Sequence, residues 1–296
     1  MNTSKKTVLF FFSLVLLIII AVLYIFSSKE ALFCILLITS LTALLSFIFS
    51  LITNDYSWTD RLWSTLPVGF AWIYAYKANF VFSVLVPTLL ITLWGARLTY
   101  NFARRGGYSS HEDYRWPILR KRFNNPVLYQ IFNLLFIAIY QQLLFILFTS
   151  FLHFLPMDSH IKISPFALFS CILFFVFLAI ETLADQQQYV FQQSKYGLLP
   201  KKEKWKTDYE QGFRTTNLFS RSRHPNYFGE IGVWWSLYFY GSFTTGKLIN
   251  PSIAGPILLT LLFLGSTVFT ESITQSKYPA YEHYKKRASA IIFKFW

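Results

Sequence analysis

The chain contains little cysteine and few charged residues, and acidic residues are the scarcest charged type. Only 2 of its 296 residues are cysteine, and 14% are charged, whereas 54% are hydrophobic. Cys34 and Cys171 both fall inside apolar runs, so the sequence predicts neither a disulfide framework nor a metal site. So low a charged fraction at this length is not typical of a soluble globular domain.

Common nucleotide-binding and nucleophile motifs are also missing. The sequence has no Gly-x-Gly-x-x-Gly loop, no Walker lysine loop and no Gly-x-Ser-x-Gly elbow. Any nucleotide is therefore expected to bind at the ends of membrane helices, not on a Rossmann unit.

The chain is rich in long apolar runs. Several contain about 17 or more residues with few or no charges, enough for a helix to cross about 30 Å of hydrocarbon. The runs lack the alternation of barrel strands, so helices are expected. The predicted fold class is all-α: a multi-pass transmembrane helix bundle of about seven or eight spans. The predicted spans are 7–26, 31–52, 62–77, 80–98, 127–151, 163–183, 227–244 and 252–270.

The third predicted span is the least regular, because Arg61, Pro67, Gly69 and Lys77 interrupt or flank it. A short, broken or re-entrant segment is expected there. No internal repeat or long soluble segment is visible, so residues 1–296 are predicted to form a single membrane-embedded domain.

The net charge of +13 comes from basic residues concentrated in three regions. The loops around 152–162 and 245–250, which alternate with them, carry only Lys162 and Lys247. This asymmetry predicts that the basic loops and the C-terminus are cytoplasmic, in a bacterial inner membrane or the endoplasmic reticulum, and it argues against nucleic acid as a partner. The basic regions are 97–125, 185–226 and 277–294.

The first polar cluster lies where a predicted span meets the cytoplasmic face. Arg97 and Asn101 are four residues apart and share a helix face, and Arg104 and Arg105 follow one turn later. A guanidinium and an amide on one face can bind an anion or a ribose. Alternatively, Arg97 extends to the interface and Arg104 and Arg105 only determine topology.

The second cluster contains Glu181 and Asp185, one helical turn apart at the end of an apolar span, followed by several glutamines. Ionisable groups at such depth usually face protein or a cavity. A solvated helix exit is the alternative for the glutamines.

The third cluster is the segment from Ser220 to Glu230. Pro225 fixes a turn after His224, so Asn226 is predicted to cap a helix whose first turn contains Tyr227 and Glu230. The free N–H groups of a helix start suit a phosphate, and Arg221 and Arg223 add positive charge before it.

Together these clusters resemble the steroid 5α-reductase-like superfamily, and the closest resemblance is to its DUF1295 branch. The resemblance covers about residues 55–296, preceded by extra N-terminal spans at about 7–52. It is carried by Arg97-x-x-x-Asn101, Glu112-Asp-Tyr-Arg-Trp116, Asp185-Gln, Ser222-Arg-His-Pro-Asn-Tyr-Phe-Gly-Glu230, and Glu271 with Tyr278-Pro-Ala-Tyr-Glu-His-Tyr284.

The resemblance implies a helix bundle that binds NADPH at its cytoplasmic side and reduces a carbon–carbon double bond conjugated to a carbonyl. The implied substrate is a steroid-like molecule or another lipid held between helices, and membrane lipids are the other expected partners. The positions implied to bind the cofactor are Arg97, Asn101, Arg105, Asp185, Arg223, His224, Asn226 and Glu230.

The substrate chemistry departs from the family pattern. Steroid reductases use a Gln-Glu pair on an early helix and a tyrosine, whereas this chain has Asp60-Arg-Leu-Trp63 and, at the tyrosine position, Trp94. Asp60, with a pKa raised by an apolar setting, and Tyr227 are the candidate proton donors.

Two other functions stay open. An Arg-His-Pro-x-Tyr signature also occurs in membrane methyltransferases of the isoprenylcysteine or phospholipid type, which bind S-adenosylmethionine. Those enzymes are usually shorter and lack the Glu-Asp-Tyr-Arg-Trp loop. A non-catalytic lipid-binding membrane protein is the second alternative.

Overall fold

The structure is a computed structural model that describes residues 3–109, 112–157 and 163–294. Within these ranges it is helical and contains no strand. The extended pairing it shows there is one isolated bridge between Ser222 and Ser289. The predicted all-α class is confirmed.

The chain divides into two compact units. The first comprises Met1–Ser164 and Gly241–Gly255, and the second comprises Pro165–Tyr240 and Pro256–Trp296. The prediction of a single domain stays a prediction.

Long helices joined by short connections form the first unit. A π-helical stretch, Asn133–Tyr140, lies between two α-helical segments and makes them one continuous helix. The helices before residue 165 are α1 (Thr3–Ile25), α2 (Ala31–Thr53), α3 (Leu66–Lys77), α4 (Phe82–Arg104), α5 (Arg115–Phe123), α6 (Pro126–Phe132) and α7 (Gln141–Thr149).

Three long helices and two short ones account for most of the rest. They are α8 (Pro165–Lys195), α9 (Lys206–Gln211), α10 (Pro225–Thr245), α11 (Ala254–Lys277) and α12 (Tyr281–Arg287). Two of them, α10 and α11, contain residues of both units.

Six helices in the described residues are long and apolar enough to cross a membrane. Each coincides with a predicted span, which supports a multi-pass membrane protein. The six are Lys5–Ile25, Ala31–Thr53, Phe82–Arg104, Pro126–Phe154, Pro165–Lys195 and Pro251–Lys277.

The other two predicted spans do not meet these criteria, for different reasons. Helix α3 has only 12 residues and is about 18 Å long, too short to cross the hydrocarbon. Helix α10, with 21 residues, is about 31 Å long, but Glu230 and its many tyrosines and tryptophans lower its hydropathy. The count of seven or eight spans stays a prediction.

Candidate functional site

Helix α4 carries two of the predicted site residues, Arg97 and Asn101, is followed directly by a third, Arg105, and packs closely against α3. A Cβ on Gly95 would lie 2.4 Å from Cγ2 of Val68 and 2.7 Å from the carbonyl oxygen of Ser64, so only glycine fits. One turn further, the hydroxyls of Ser64 and Thr99 are 2.6 Å apart. This crossing fixes the part of α4 on both sides of Arg97.

The predicted residues on α4 differ in exposure. Asn101 is buried, Arg97 is half-buried, and Arg105, just beyond the end of the helix, is exposed. The guanidinium of Arg104 donates to Oδ1 of Asn101 from Nε at 3.0 Å and from Nη2 at 2.7 Å. Arg104 thus holds the amide that the sequence proposed as a ligand.

Asp60 lies in a 3₁₀ turn, Asp60–Leu62, just before α3. The indole Nε1 of Trp116 donates to its Oδ2 at 2.8 Å. Trp116 packs in a buried apolar cluster with Tyr56, Tyr129 and Ile137. The carboxylate of Asp60 therefore lies at the edge of an apolar region and is bonded to the indole of Trp116.

Burial raises the pKa of Asp60 to about 6, with Arg115 opposing the shift and Asp113 adding to it. At neutral pH about one-tenth of such a carboxyl is protonated, far more than for an ordinary aspartate. The prediction of a raised pKa for Asp60 thus agrees with the structure. Its role as a proton donor stays a prediction.

The neighbouring Arg61 holds the loop that precedes α5, the helix that contains Trp116. Its side chain is fully buried and pairs with Asp55 at 2.6 Å, and it donates to the carbonyl oxygens of Gly107 and Ser109, each at 3.1 Å. On the other side of the loop, the backbone N–H of Asp113 donates to Ser57. These bonds keep the loop, and with it Trp116, against Asp60.

In the second unit, α8 and α10 cross at two glycines. A Cβ on Gly229 would lie 2.6 Å from Cβ of Glu181 and 2.8 Å from the carbonyl oxygen of Phe177, and one on Gly232 would meet the Phe177 ring at 2.2 Å. As the sequence advances along α10, the contacts move backwards along α8, so the two helices are antiparallel. The end of α8 therefore lies beside the start of α10.

This crossing brings buried carboxylates onto neighbouring turns. Glu181, Asp185 and Glu230 are 4%, 5% and 4% exposed. Glu230 accepts a hydrogen bond from Nε1 of Trp234 at 3.2 Å. Three acids buried this deeply at the end of an apolar helix are typical of a functional site.

Two glutamines follow the acids on α8. Oε1 of Gln187 and Oε1 of Gln188 are buried, and neither has a hydrogen-bond partner in the part of the chain that the structure describes. Buried polar atoms are normally hydrogen-bonded, so these two can accept hydrogen bonds from a ligand or from water.

The start of α10 corrects one detail of the sequence prediction. The helix begins at Pro225, so Asn226 lies within its first turn instead of capping it. Proline suits the first helical position because its missing N–H would be unpaired there. The ring of Tyr227 stacks on His224 with centroids 4.9 Å apart and meets Phe263 at 4.6 Å.

Arg223 and His224 contact the protein itself. Nε and Nη2 of Arg223 donate to the two carboxylate oxygens of Glu271 at 2.6 and 3.1 Å, and Nε2 of His224 lies 3.1 Å from Oε1 of the same carboxylate. Glu271 was part of the family pattern but was not among the predicted site residues. An acid within an apolar span was the signal that could have identified it.

Comparison with known protein families identifies the family of this chain. The family model described as "Protein of unknown function (DUF1295)" matches residues 46–288. The chain belongs to the DUF1295 family. The match confirms the resemblance to the DUF1295 branch that the motifs predicted. The description of the family names no activity.

The chain is also similar to a curated protein. Uncharacterized protein C594.04c of Schizosaccharomyces pombe is 33% identical over 249 residues, and the match covers 79% of this chain and 72% of that protein. No solved structure matches the chain.

Within each unit, the structure of the DUF1295 protein brings some predicted residues together. Asp185 and Glu230 lie on the paired helices α8 and α10 of the second unit, and Arg97 and Asn101 lie one turn apart on α4 of the first. Trp94, which the resemblance places at the tyrosine position of steroid reductases, is fully buried on α4. That these residues bind a cofactor stays a prediction.

Proposed function

We propose that this DUF1295 protein is an NADPH-dependent membrane reductase that acts on a conjugated carbon–carbon double bond in a steroid-like or other lipid enone. The observation that carries the proposal is the antiparallel crossing of α8 and α10, with Glu181, Asp185 and Glu230 buried beside it. Ionisable residues buried within membrane helices are typical of substrate, ion or ligand sites.

The residues at this crossing fit the polar parts of the cofactor. Carboxylates and the carbonyl oxygens of Gln187 and Gln188 accept hydrogen bonds, as ribose hydroxyls and a carboxamide require. Asp185, Asn226 and Glu230 would hold those groups. Arg97 and Arg105, which the family resemblance implies as cofactor ligands, would supply positive charge for phosphates.

When bound, NADPH supplies a hydride to the double bond of the substrate. Residues of the protein supply the proton that the substrate also gains. Asp60 holds one for a larger fraction of time than an ordinary aspartate, because its pKa is raised to about 6. Trp116 fixes its carboxyl, and Tyr227 is the second candidate donor.

The proposed orientation follows the charge distribution. The loops and the tail rich in lysine and arginine face the cytoplasm, and seven or eight segments cross the bacterial inner membrane or the endoplasmic reticulum. The cofactor, which is made in the cytoplasm, then reaches the protein from that side.

The same buried acids favour one alternative function. S-adenosylmethionine carries an ammonium and a sulfonium group, and carboxylates such as Asp185 and Glu230 would pair with either. The alternative is therefore a methyltransferase of the isoprenylcysteine or phospholipid type.

Isotope transfer tests the proposal without a known substrate. Purified protein in lipid nanodiscs is incubated with a membrane lipid extract and NADPH deuterated at the transferable C4 position, and the lipids are analysed by mass spectrometry. We expect a lipid that gains one deuterium and one proton. Transfer of a deuterated methyl group from S-adenosylmethionine instead identifies the alternative, and a protein that binds lipid but transfers neither label is a lipid-binding protein.

A further inference from the structure

Glu271 connects two parts of the second unit that are distant in sequence. It lies on α11, is 5% exposed, and binds the guanidinium of Arg223 through both carboxylate oxygens. Oε1 also contacts Nε2 of His224. One carboxylate thus holds two consecutive side chains immediately before α10.

A second set of bonds holds the same turn from the other side. Nη1 of Arg223 donates to the carbonyl oxygens of Lys285, at 3.1 Å, and Ala288. The backbone N–H groups of Arg223 and His224 donate to the carbonyl oxygens of Ser289 and Ala290, at 2.9 and 3.1 Å. We call residues 281–294, which supply these acceptors, the C-terminal strap.

All three nitrogens of the Arg223 guanidinium therefore bond to protein groups. A bidentate pair with a carboxylate is the strongest contact that arginine makes, and this one is largely shielded from solvent. An arginine held in this way is a poor ligand for a phosphate, because binding would require it to leave Glu271, and that buried acid would lose its guanidinium partner.

We propose that Glu271 is a positioning residue for the cofactor site. It fixes Arg223 and His224 against the C-terminal strap, and these in turn fix the start of α10, where Asn226 and Glu230 lie. Arg223 and His224 then act through position and do not bind the cofactor themselves. The inference rests on the proposed function only in naming the ligand.

The first test needs no ligand. Hydrogen exchange is measured on wild-type protein and on Glu271→Gln, which keeps the size of the side chain and removes its charge. We expect faster exchange at the amides of Arg223 and His224 and in the first turn of α10. Exchange equal to wild type in these segments would overturn the proposal.

A matched control is available on the strap. Glu282 lies on α12 and accepts a hydrogen bond from Gln275 at 2.7 Å. Glu282→Gln removes one carboxylate from the same unit and leaves the contacts of Arg223 intact. We expect hydrogen exchange at the start of α10 to be the same in Glu282→Gln as in wild type. An increase as large as that in Glu271→Gln would count against a specific role for Glu271.

The second test measures the dissociation constant for NADPH well below the unfolding temperature of each variant, so that only folded protein is compared. We expect Glu271→Gln to weaken binding by at least about tenfold, and Arg223→Gln combined with it to be no weaker than Glu271→Gln alone. Unchanged affinity in Glu271→Gln, or additive losses in the double variant, would overturn the proposal.

The two tests separate the failure of this inference from the failure of the proposed function. Wild-type protein that does not bind NADPH refutes the reductase proposal, and hydrogen exchange still decides whether Glu271 fixes the start of α10. Wild-type protein that binds NADPH, with a Glu271→Gln variant of equal affinity, refutes the positioning role alone.

Discussion

Trp116 donates its indole N–H to the carboxylate of Asp60 across 2.8 Å and 56 positions of sequence. The bond joins the segment before α3 to the first turn of α5. It also holds an acid of raised pKa at the edge of an apolar cluster, which makes Asp60 the most specific target for mutation in the first unit.

Replacement of Asp60 by asparagine is expected to abolish turnover and to leave NADPH affinity within about twofold of wild type, because the change removes a proton donor and no cofactor contact. Turnover and affinity are measured separately by product formation and by equilibrium titration. If Asp60→Asn retained wild-type turnover, another residue would be the proton donor, and Tyr227→Phe would be the next variant to assay.

The pH dependence of turnover follows from the same group. An acid must be protonated to act, and Asp60 has a pKa of about 6, so turnover should fall as pH rises through about 6. The fall is measured at saturating substrate in wild-type protein. A rate that is constant from pH 5 to 8 would contradict the assignment of Asp60 as the donor.

Stability should show the opposite dependence to that of a salt-bridged acid. The folded pKa of Asp60 lies above its ordinary value of 3.8, so the folded state binds more protons between pH 4 and 6, and stability decreases as pH rises through this window. Asp60→Asn removes this contribution. Thermal unfolding at several pH values should therefore show a smaller decrease for the variant than for wild type.

A methyl group at Gly229 should disrupt the crossing of α8 and α10. Gly229→Ala places Cβ against Glu181 and the backbone of Phe177, and such overpacking costs about 1–3 kcal/mol of stability. Gly265→Ala on α11 is the control, because a Cβ there meets nothing within 4 Å. Thermal unfolding should separate the two variants, and equal stability would show that the helices do not approach as closely as described.

Much of the fold could be predicted from the sequence, because apolar length is a local signal. Six predicted spans coincide with six described helices. The π-helical stretch Asn133–Tyr140 has no such signal, since it depends on hydrogen-bond spacing that hydropathy does not record. The prediction that Asn226 caps α10 is wrong, because the helix already begins at Pro225.

The candidate site was predictable only in part. Residue types identified Asp60, Asp185 and Glu230, and the structure shows all three partly or fully buried. The pair between Arg223 and Glu271 joins residues 48 positions apart, so spacing within a motif could not reveal it. The sequence therefore assigned Arg223 to the cofactor, whereas its contacts in the structure are with the protein.

The cofactor assignment makes a further prediction about both units. Arg97→Ala and Asn226→Ala should each weaken NADPH binding by about tenfold without preventing folding, which is the effect of about 1.4 kcal/mol. Lys121→Ala removes an exposed charge on α5 and serves as the control for Arg97. Wild-type affinity in both variants would remove these residues from the binding site.

Titration of purified wild-type protein with NADPH and, separately, with S-adenosylmethionine tests the central claim most directly. Binding is followed as an increase in the unfolding temperature of the protein in nanodiscs. The proposal predicts that NADPH raises the unfolding temperature and that S-adenosylmethionine does not. A shift with S-adenosylmethionine and none with NADPH would contradict it.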